Sequence, residues 1–423
     1  MSRAVRVLPA RADVLVGALR AALEDDGPAV LPVAAGSDGG SSGGGGSDGG
    51  SSGGGEPDGT DDARSDDRSD DGLPEGGVPD DVVLVVRTSG STGAPRGVLL
   101  PAAALRASAD ATAERLAGPG RWLLALPVDH IAGLQVLVRS VLAGTGPTVL
   151  PPGPFRADRF AAAVTSAVRT APSGPWYTSL VPTQLVRLLD DSAGTAALHR
   201  FDAVLVGGAA TAGSLLDRAR EAGVRVVTTY GMTETCGGCV YDGRPLDGVD
   251  VRLDETGRVW LTGPVLAVGY RGRPDLDAET FTVDADGGRW LRTGDLGRLA
   301  DGVLTVTGRA DDVLVTGGVN VAPGPVEDLL TRLPGIREAC VVGVPDAEWG
   351  QAVVAVLVVG PDGPPPLADL RRHVADRLGA AAAPRRIVVV PALPLRGPGK
   401  PDRRAAAALA AAPAGAADRA DPH

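Results

Sequence analysis

The chain has 423 residues and a formal charge of -11, but residues 36–77 carry eleven acidic side chains against two arginines and so account for -9 of it. The near-neutral remainder argues against a nucleic-acid binder, which needs a basic face to displace counterions from phosphates. No apolar run approaches the roughly 18 residues that span a bilayer, arginines interrupt the N-terminus where a secretory apolar stretch would sit, and three cysteines exclude a disulfide scaffold. These features predict a cytoplasmic protein without stable membrane insertion, large enough for more than one domain. The 41 basic residues comprise 40 Arg and a single Lys, Lys400. A compact ammonium and a planar guanidinium are not interchangeable at a site, so a lysine kept alone against that bias invites a chemical explanation.

Residues 1–35, the start of an N-terminal domain, read as a helix over 12–23 and a strand over 29–33. Residues 36–77 read as a disordered Gly/Ser/Asp insertion, because they have almost nothing apolar to bury and repel themselves. From 78 to 310 strands and helices alternate: strand 82–86, helix 102–116, strand 122–126, helix 133–142, strand 201–206, helix 213–222 and strand 224–228. That alternation predicts a large α/β domain with a substantially parallel sheet. Beyond 250 the helices give way to short strands (251–253, 258–262, 290–293, 303–306), which predict a small β-rich subdomain. Residues 311–404 read as a smaller, separate α+β domain, with helices 326–333 and 367–378 and strands 339–344, 352–359 and 386–390. Residues 405–423 read as an Ala-rich, frayed tail.

Four segments carry candidate chemistry. Thr88, Ser89, Gly90, Ser91, Thr92, Gly93 and Arg96 lie in a Gly/Ser/Thr stretch after an apolar strand, offering hydroxyls, backbone N–H groups and a cation. Those are the ingredients of a phosphate cradle; composition alone favours a flexible turn, and the position after a fully apolar strand shifts the reading towards ligand binding. It is not a Walker A loop, since no Gly-Lys-Ser/Thr closes it. Tyr230-Gly231-Met232-Thr233-Glu234 and Gly207-Gly208 follow further apolar strands, where open α/β sheets place their ligands. An aromatic ring can cover a base and a carboxylate can hold Mg²⁺, while the alternative for each segment is a tight structural turn. Asp295, in Thr293-Gly294-Asp295, supplies a carboxylate for ribose hydroxyls and Arg309 a cation for phosphate; singly, either motif reads as a hairpin turn with a surface ion pair. Cys236 and Cys239 have CxxC spacing, but two further zinc ligands are lacking nearby.

Taken in this order, these segments resemble the adenylate-forming superfamily of acyl-CoA synthetases over about residues 80–404. Residues 88–97 resemble its phosphate loop, 230–234 its YGxTE motif, 293–295 its TGD, 308–327 its hinge and the start of its mobile C-terminal domain, and 397–400 (GPGK) its catalytic-lysine loop. The segments LPVDHIAGLQVL, YTSLVPTQL and TYGMTETCGGCVYDGRPLDGV are most similar to the o-succinylbenzoate CoA ligases of menaquinone biosynthesis. The resemblance implies ATP, Mg²⁺ and coenzyme A as cofactors and a small-molecule carboxylic acid as partner. It implies Lys400, Thr233, Glu234 and His130 as catalytic residues, Glu234 also as metal ligand, and Asp311 as hinge. His130 and Cys236 would line the substrate pocket; Arg139, on the helix after His130, is a candidate partner there for a second carboxylate, the alternative being an exposed surface arginine. Two departures stand out: Arg96 replaces the usual lysine, and the stretch before the phosphate loop is short, so part of the usual N-terminal subdomain is expected to be missing.

The expected activity is two-step ligation of an acid to coenzyme A, most simply 2-succinylbenzoate. A ligase for another acid, a carrier-protein loader and a non-catalytic nucleotide-binding relative remain as rivals, and neither the acyl group nor the oligomeric state follows from the sequence. Excising residues 38–76 should leave kcat and thermal stability nearly unchanged, because a segment that buries nothing adds only closure entropy. A loss of more than about tenfold in kcat/KM, roughly 1.4 kcal/mol, would give the acidic segment a role.

Overall fold

The computed structural model describes residues 2–34, 76–89, 95–171, 173–396 and 399–412. Most of the acidic insertion, Gly90, Ser91, Thr92 and Gly93 of the phosphate loop, and the tail beyond 412 lie outside the described residues. Among those described, no helix is long and apolar enough to cross a membrane.

Two sheets frame the large domain. One has seven strands in the order Arg244–Pro245, Gly237–Tyr241, Val226–Met232, Ala203–Val206, Trp176–Leu180, Arg121–Leu124 and Thr148–Val149. Its last five strands are mutually parallel, and the first two close it as antiparallel hairpins. The other runs Gly269–Tyr270, Pro95–Pro101, Val82–Ser89, Ala29–Val33 and Val5–Pro9, parallel on the N-terminal side and antiparallel beyond. Residues Val82 to Val86 and the strand Ala203–Val206 are buried on both faces, which explains their unbroken apolar sequence.

The helix Ile131–Leu142 lies in the largest core cluster, with Leu134, Val136, Leu137 and Val138 all fully buried. A helix apolar on nearly every side is one with no solvent face. It packs on Ala12–Leu23, whose Leu15 and Leu19 are equally buried. A third, five-stranded antiparallel sheet contains Asp250–Leu253, Arg258–Thr262, Arg289–Ala300, Phe281–Val283 and Val303–Arg309. The C-terminal unit has its own core on the sheet Ile336–Asp346, Gly350–Val359 and Arg386–Val389, with helices Pro323–Thr331 and Leu367–Leu378.

Several expectations shift. The Gly/Ser/Thr stretch is flanked by two strands, Val82–Ser89 before it and Pro95–Pro101 after it, which pair antiparallel; the second is not among the expected strands. The strand expected to stop at 228 continues to Met232, because Gly237–Tyr241 pairs with it. The region after 250 does contain a helix, Pro274–Thr280, started by a proline and acidic first-turn residues. At 76, inside the segment expected to run to 77, the Gly76 carbonyl accepts a hydrogen bond from buried Arg271, so the excision above is best drawn at 38–74. The expected frayed tail begins as a helix, Arg403–Ala411, that buries Ala406 and Ala410 against the C-terminal sheet and is capped by Asp402.

Gly133 sits in the first turn of the central helix, where an added Cβ would collide with the Pro127 carbonyl group, its carbon 2.7 Å away, and with the Leu126 oxygen at 3.0 Å. Gly133→Ala should therefore push the helix off the 126–130 loop and cost about 1–3 kcal/mol, read as a lower urea midpoint with an unchanged m-value.

Candidate active site

The carboxyl ends of the parallel strands and the tips of the neighbouring sheets converge on one region. Tyr230 is on the strand Val226–Met232, and its hydroxyl donates to Asp295 Oδ2 at 2.8 Å. Burial, reinforced by the Asp295 charge, raises the tyrosine pKa, so the phenol keeps its proton and remains a donor. Asp295 and Arg309 face each other across the hairpin Arg289–Ala300/Val303–Arg309, with Arg309 Nη1 3.7 Å from Asp295 Oδ1. The Asp295 carboxylate is mostly buried while half of Arg309 is exposed, so the arginine is free to turn toward a ligand. Asp311 lies in the single turn that follows, 3.5 Å from the same guanidinium.

The turn Thr233–Thr235 closes the hairpin between Val226–Met232 and Gly237–Tyr241. It carries Glu234, whose Oε1 accepts the Tyr270 hydroxyl at 2.7 Å. Tyr270 belongs to the strand Gly269–Tyr270 that pairs with Pro95–Pro101, and the Arg96 charge reaches its hydroxyl. Thr88 and Arg96 are cross-strand partners, so the root of the phosphate loop stands beside Glu234. Among the described residues no cluster of three or more His, Cys, Asp or Glu side chains is present. The hard oxygen of one carboxylate nevertheless suits Mg²⁺, which takes one or two protein carboxylates and fills its octahedron with phosphates and water.

A third group gathers at Val181, just past the strand Trp176–Leu180. A Cβ added at Gly399 would meet the Val181 Cβ at 2.9 Å, and one at Gly208 would lie 3.6 Å from its Cγ1. Gly207 donates to the Leu180 carbonyl and abuts Thr229, which leaves no room for a side chain. The loop bearing exposed Lys400 thus rests on the sheet's carboxyl edge, and the Lys400 charge is felt at His130. His130 precedes the central helix and bonds Asp129 Oδ1 through Nδ1 at 3.0 Å.

Two expected pocket residues stand elsewhere. The helix carries Arg139 roughly 13 Å along its axis from His130. Its guanidinium is buried, donates to Thr112 Oγ1 at 3.1 Å and to the Tyr241 hydroxyl at 3.3 Å, and stacks on Trp122. It is a buried residue, not an exposed surface arginine, and it lines a small cavity with Tyr177 and Leu116. The Cys236 side chain is fully buried in the central core with Cys239, and burial raises both thiols, Cys239 to about 12. Its carbonyl, not its sulfur, is engaged, by Gln135 Nε2 and Ser108 Oγ. Tyr270 and Val181 escaped the sequence reading because the first meets Glu234 across a sheet pairing and the second offers only bulk.

The AMP-binding enzyme family model matches residues 45–301, and the AMP-binding enzyme C-terminal domain matches 325–400. The chain belongs to the AMP-binding enzyme family. Among its relatives, a probable 2-succinylbenzoate–CoA ligase of Mycobacterium tuberculosis is 51% identical over 348 residues, covering 81% of this chain and 87% of that protein. Bacillus subtilis o-succinylbenzoate CoA synthetase, solved with its acyl-adenylate intermediate, superposes with a TM-score of 0.63 at 29% identity, over 76% of this chain and 68% of that one. The amide bond synthetase McbA of Marinactinospora thermotolerans gives 0.70 at 28% identity, over 97% and 80% of the two chains. The large α/β domain and smaller C-terminal domain are thus those of adenylate-forming enzymes.

The Asp129 hydrogen bond and charge raise the His130 pKa above its ordinary 6.5, against burial and the Lys400 charge, which lower it. The contact therefore favours the folded protein below pH 6.5 and fades as pH climbs through the raised midpoint. Asp129→Asn should lower the His130 midpoint in an NMR titration; an unmoved midpoint would show that the pair is not formed in solution.

Proposed function

We propose that the chain is an AMP-forming acid–CoA ligase acting on 2-succinylbenzoate in menaquinone biosynthesis. The observation that carries the chemistry is the seating of the sole lysine's loop on the sheet edge at Val181, next to His130 and Gly208. The choice of acid is supported by the relative that is 51% identical along most of its length. In the first step a carboxylate oxygen of the acid attacks the α-phosphorus of ATP, the bond to the bridging oxygen breaks, and pyrophosphate leaves. In the second the sulfur of coenzyme A attacks the acyl carbon, the thiol proton is lost, and AMP departs with the bridging electron pair.

The first step concentrates negative charge near phosphorus, and the residues to oppose it are in reach. Lys400 would neutralise charge between the carboxylate and the α-phosphate. Thr88 to Gly93 and Arg96 would hold the pyrophosphate, Arg96 keeping the charge of the lysine it replaces. Thr233 would donate to phosphate, and Glu234 would hold Mg²⁺, which when bound screens the phosphates. Asp295 would accept the ribose hydroxyls, Arg309 would orient ribose and phosphate, and Tyr230 with Gly207, Gly208 and Gly231 would bound the adenine. His130 would stand at the acyl group. Rotation about Asp311 between steps would withdraw Lys400 and bring the turn at Gly317 and Gly318 to the site. This reading places the enzyme in the cytoplasm, with its ATP and coenzyme A.

Mass spectrometry of products from a panel of acids tests it. The expected products are o-succinylbenzoyl-CoA and AMP. Faster turnover of benzoate or a fatty acid would change the acid, amide formation with an amine acceptor would favour the McbA-like chemistry, and no acid-dependent exchange of pyrophosphate into ATP would leave only a nucleotide binder. Lys400→Ala should slow adenylate formation at least about a hundredfold, the scale of one preorganised electrostatic contact. Thioester formation from presynthesised acyl-adenylate should fall far less. Lys400→Arg should also be impaired, since a broad fork does not fit the space of a point charge.

A further inference from the structure

The Lys400 loop is closed on itself at its base. Arg396 N donates to the Lys400 carbonyl at 2.7 Å, Asp402 N to the Pro394 carbonyl at 2.8 Å, and Leu395 bridges Pro401. What fixes this closed loop to the rest of the C-terminal domain is Arg403, three residues past the lysine. Its Nε donates to Asp312 Oδ2 at 3.1 Å, its Nη1 to Glu327 Oε1 at 2.5 Å and to the Val341 carbonyl at 2.9 Å, and its Nη2 to Glu327 Oε2 at 3.0 Å. Glu327 Oε1 also accepts Val341 N at 2.7 Å, and Cys340 Sγ lies 3.7 Å from Nη1.

Four of the five guanidinium N–H donors are therefore spent on three different elements: the turn Ala310–Asp312, the helix Pro323–Thr331 and the strand Ile336–Asp346. The side chain is about a quarter exposed and Glu327 less, so the fork is largely shielded from water, where a bidentate pair is strong and directional. Asp312 adjoins Asp311 in the connecting turn. Chain covering three residues spans at most about 10 Å, so any slack at Arg403 passes directly to the Lys400 ammonium. A lysine on a mobile loop tip has four rotatable carbons of its own, and its usefulness depends on where its base is held.

We propose that Arg403 is a positioning residue for Lys400, with Glu327 and Asp312 as its anchors, tying the lysine's place in the first half-reaction to the turn that joins the two domains. This rests on the role given to Lys400 under the proposed function. Loss of Arg403 alters neither the charge at the reacting atoms nor the contacts of coenzyme A; it alters how often Lys400 is in place. Its effect is accordingly confined to adenylate formation and vanishes once Lys400 is gone.

The test is a double-mutant cycle on the full chain, with pyrophosphate exchange reporting adenylation and thioester formation from presynthesised acyl-adenylate reporting the second step. Arg403→Lys keeps the charge and loses the fork. Adenylation should fall about tenfold or more, the thioester step by less than about threefold, and Arg403→Lys added to Lys400→Ala should slow adenylation no further. Because Arg403→Lys could act by loosening the fold, the exchanged pair Arg403→Glu/Glu327→Arg is measured alongside, with circular dichroism and Tm for each variant. This pair should recover stability relative to Arg403→Glu while leaving adenylation slow, since it restores only the link to the helix: a carboxylate at position 403 donates to neither Asp312 nor the Val341 carbonyl, and the loop loses two of its three anchors. Equal slowing of both steps, additive loss in the Lys400→Ala background, or normal adenylation by Arg403→Lys where Lys400→Ala is slow would each overturn the inference. Wild-type adenylation by Lys400→Ala would instead overturn the role of Lys400, and the inference with it.

Discussion

The hydrogen bond from Tyr230 to Asp295 links two sheets that also share the largest core cluster, Val227 and Tyr241 of one lying in it with Val259 and Leu291 of the other. Tyr230 belongs to the last parallel strand of the seven-stranded sheet, and Asp295 to the long strand of the five-stranded one. Burial keeps the phenol neutral and donating, so one Asp295 oxygen is spoken for while the other faces Arg309.

A second dependence runs through the antiparallel strands at the sheet edges. The pairing of Gly269–Tyr270 with Pro95–Pro101 brings the Tyr270 hydroxyl to Glu234, and with it the root of the phosphate loop. The hairpin of Val226–Met232 with Gly237–Tyr241 forces Thr233–Thr235 into a tight turn and leaves Cys236 in the left-handed region at φ 53. Gln135 on the central helix donates to the Cys236 carbonyl, so the helix that begins at His130 also holds the far side of the turn bearing Glu234. A single rigid helix thus serves both ends of the site.

The apolar strands and the helices with clear periodicity were legible because burial writes itself into local sequence: the helix Ala12–Leu23 and the strands Ala29–Val33 and Arg258–Thr262 stand where the pattern put them. The strand Pro95–Pro101 was not, since its Arg and Gly hide a short apolar run and its partner lies across a loop. The helices Ala157–Thr170, Pro182–Leu189 and Ser192–Leu198 also passed unread: the first and last are mostly alanine, serine and threonine, and the second is only eight residues long. At the site, the motifs named the residues but not their neighbours. Arg139 looked available because it sits on the right helix; a helix end 13 Å away, roughly, is a different place, and Trp122 claims it. Arg403 left no trace, because its partners are 62 to 91 positions distant in the chain.

The imbalance of 40 arginines to one lysine has a practical side. Guanidinium groups do not react with mild amine-directed reagents at neutral pH, so the chain offers one exposed side-chain amine, and it sits on the loop against Val181. Any acylating probe that spares the N-terminus reports on that loop alone. The extent of labelling in the presence of each ligand becomes a direct gauge of whether the loop is docked or withdrawn, without introducing a single foreign residue into the protein.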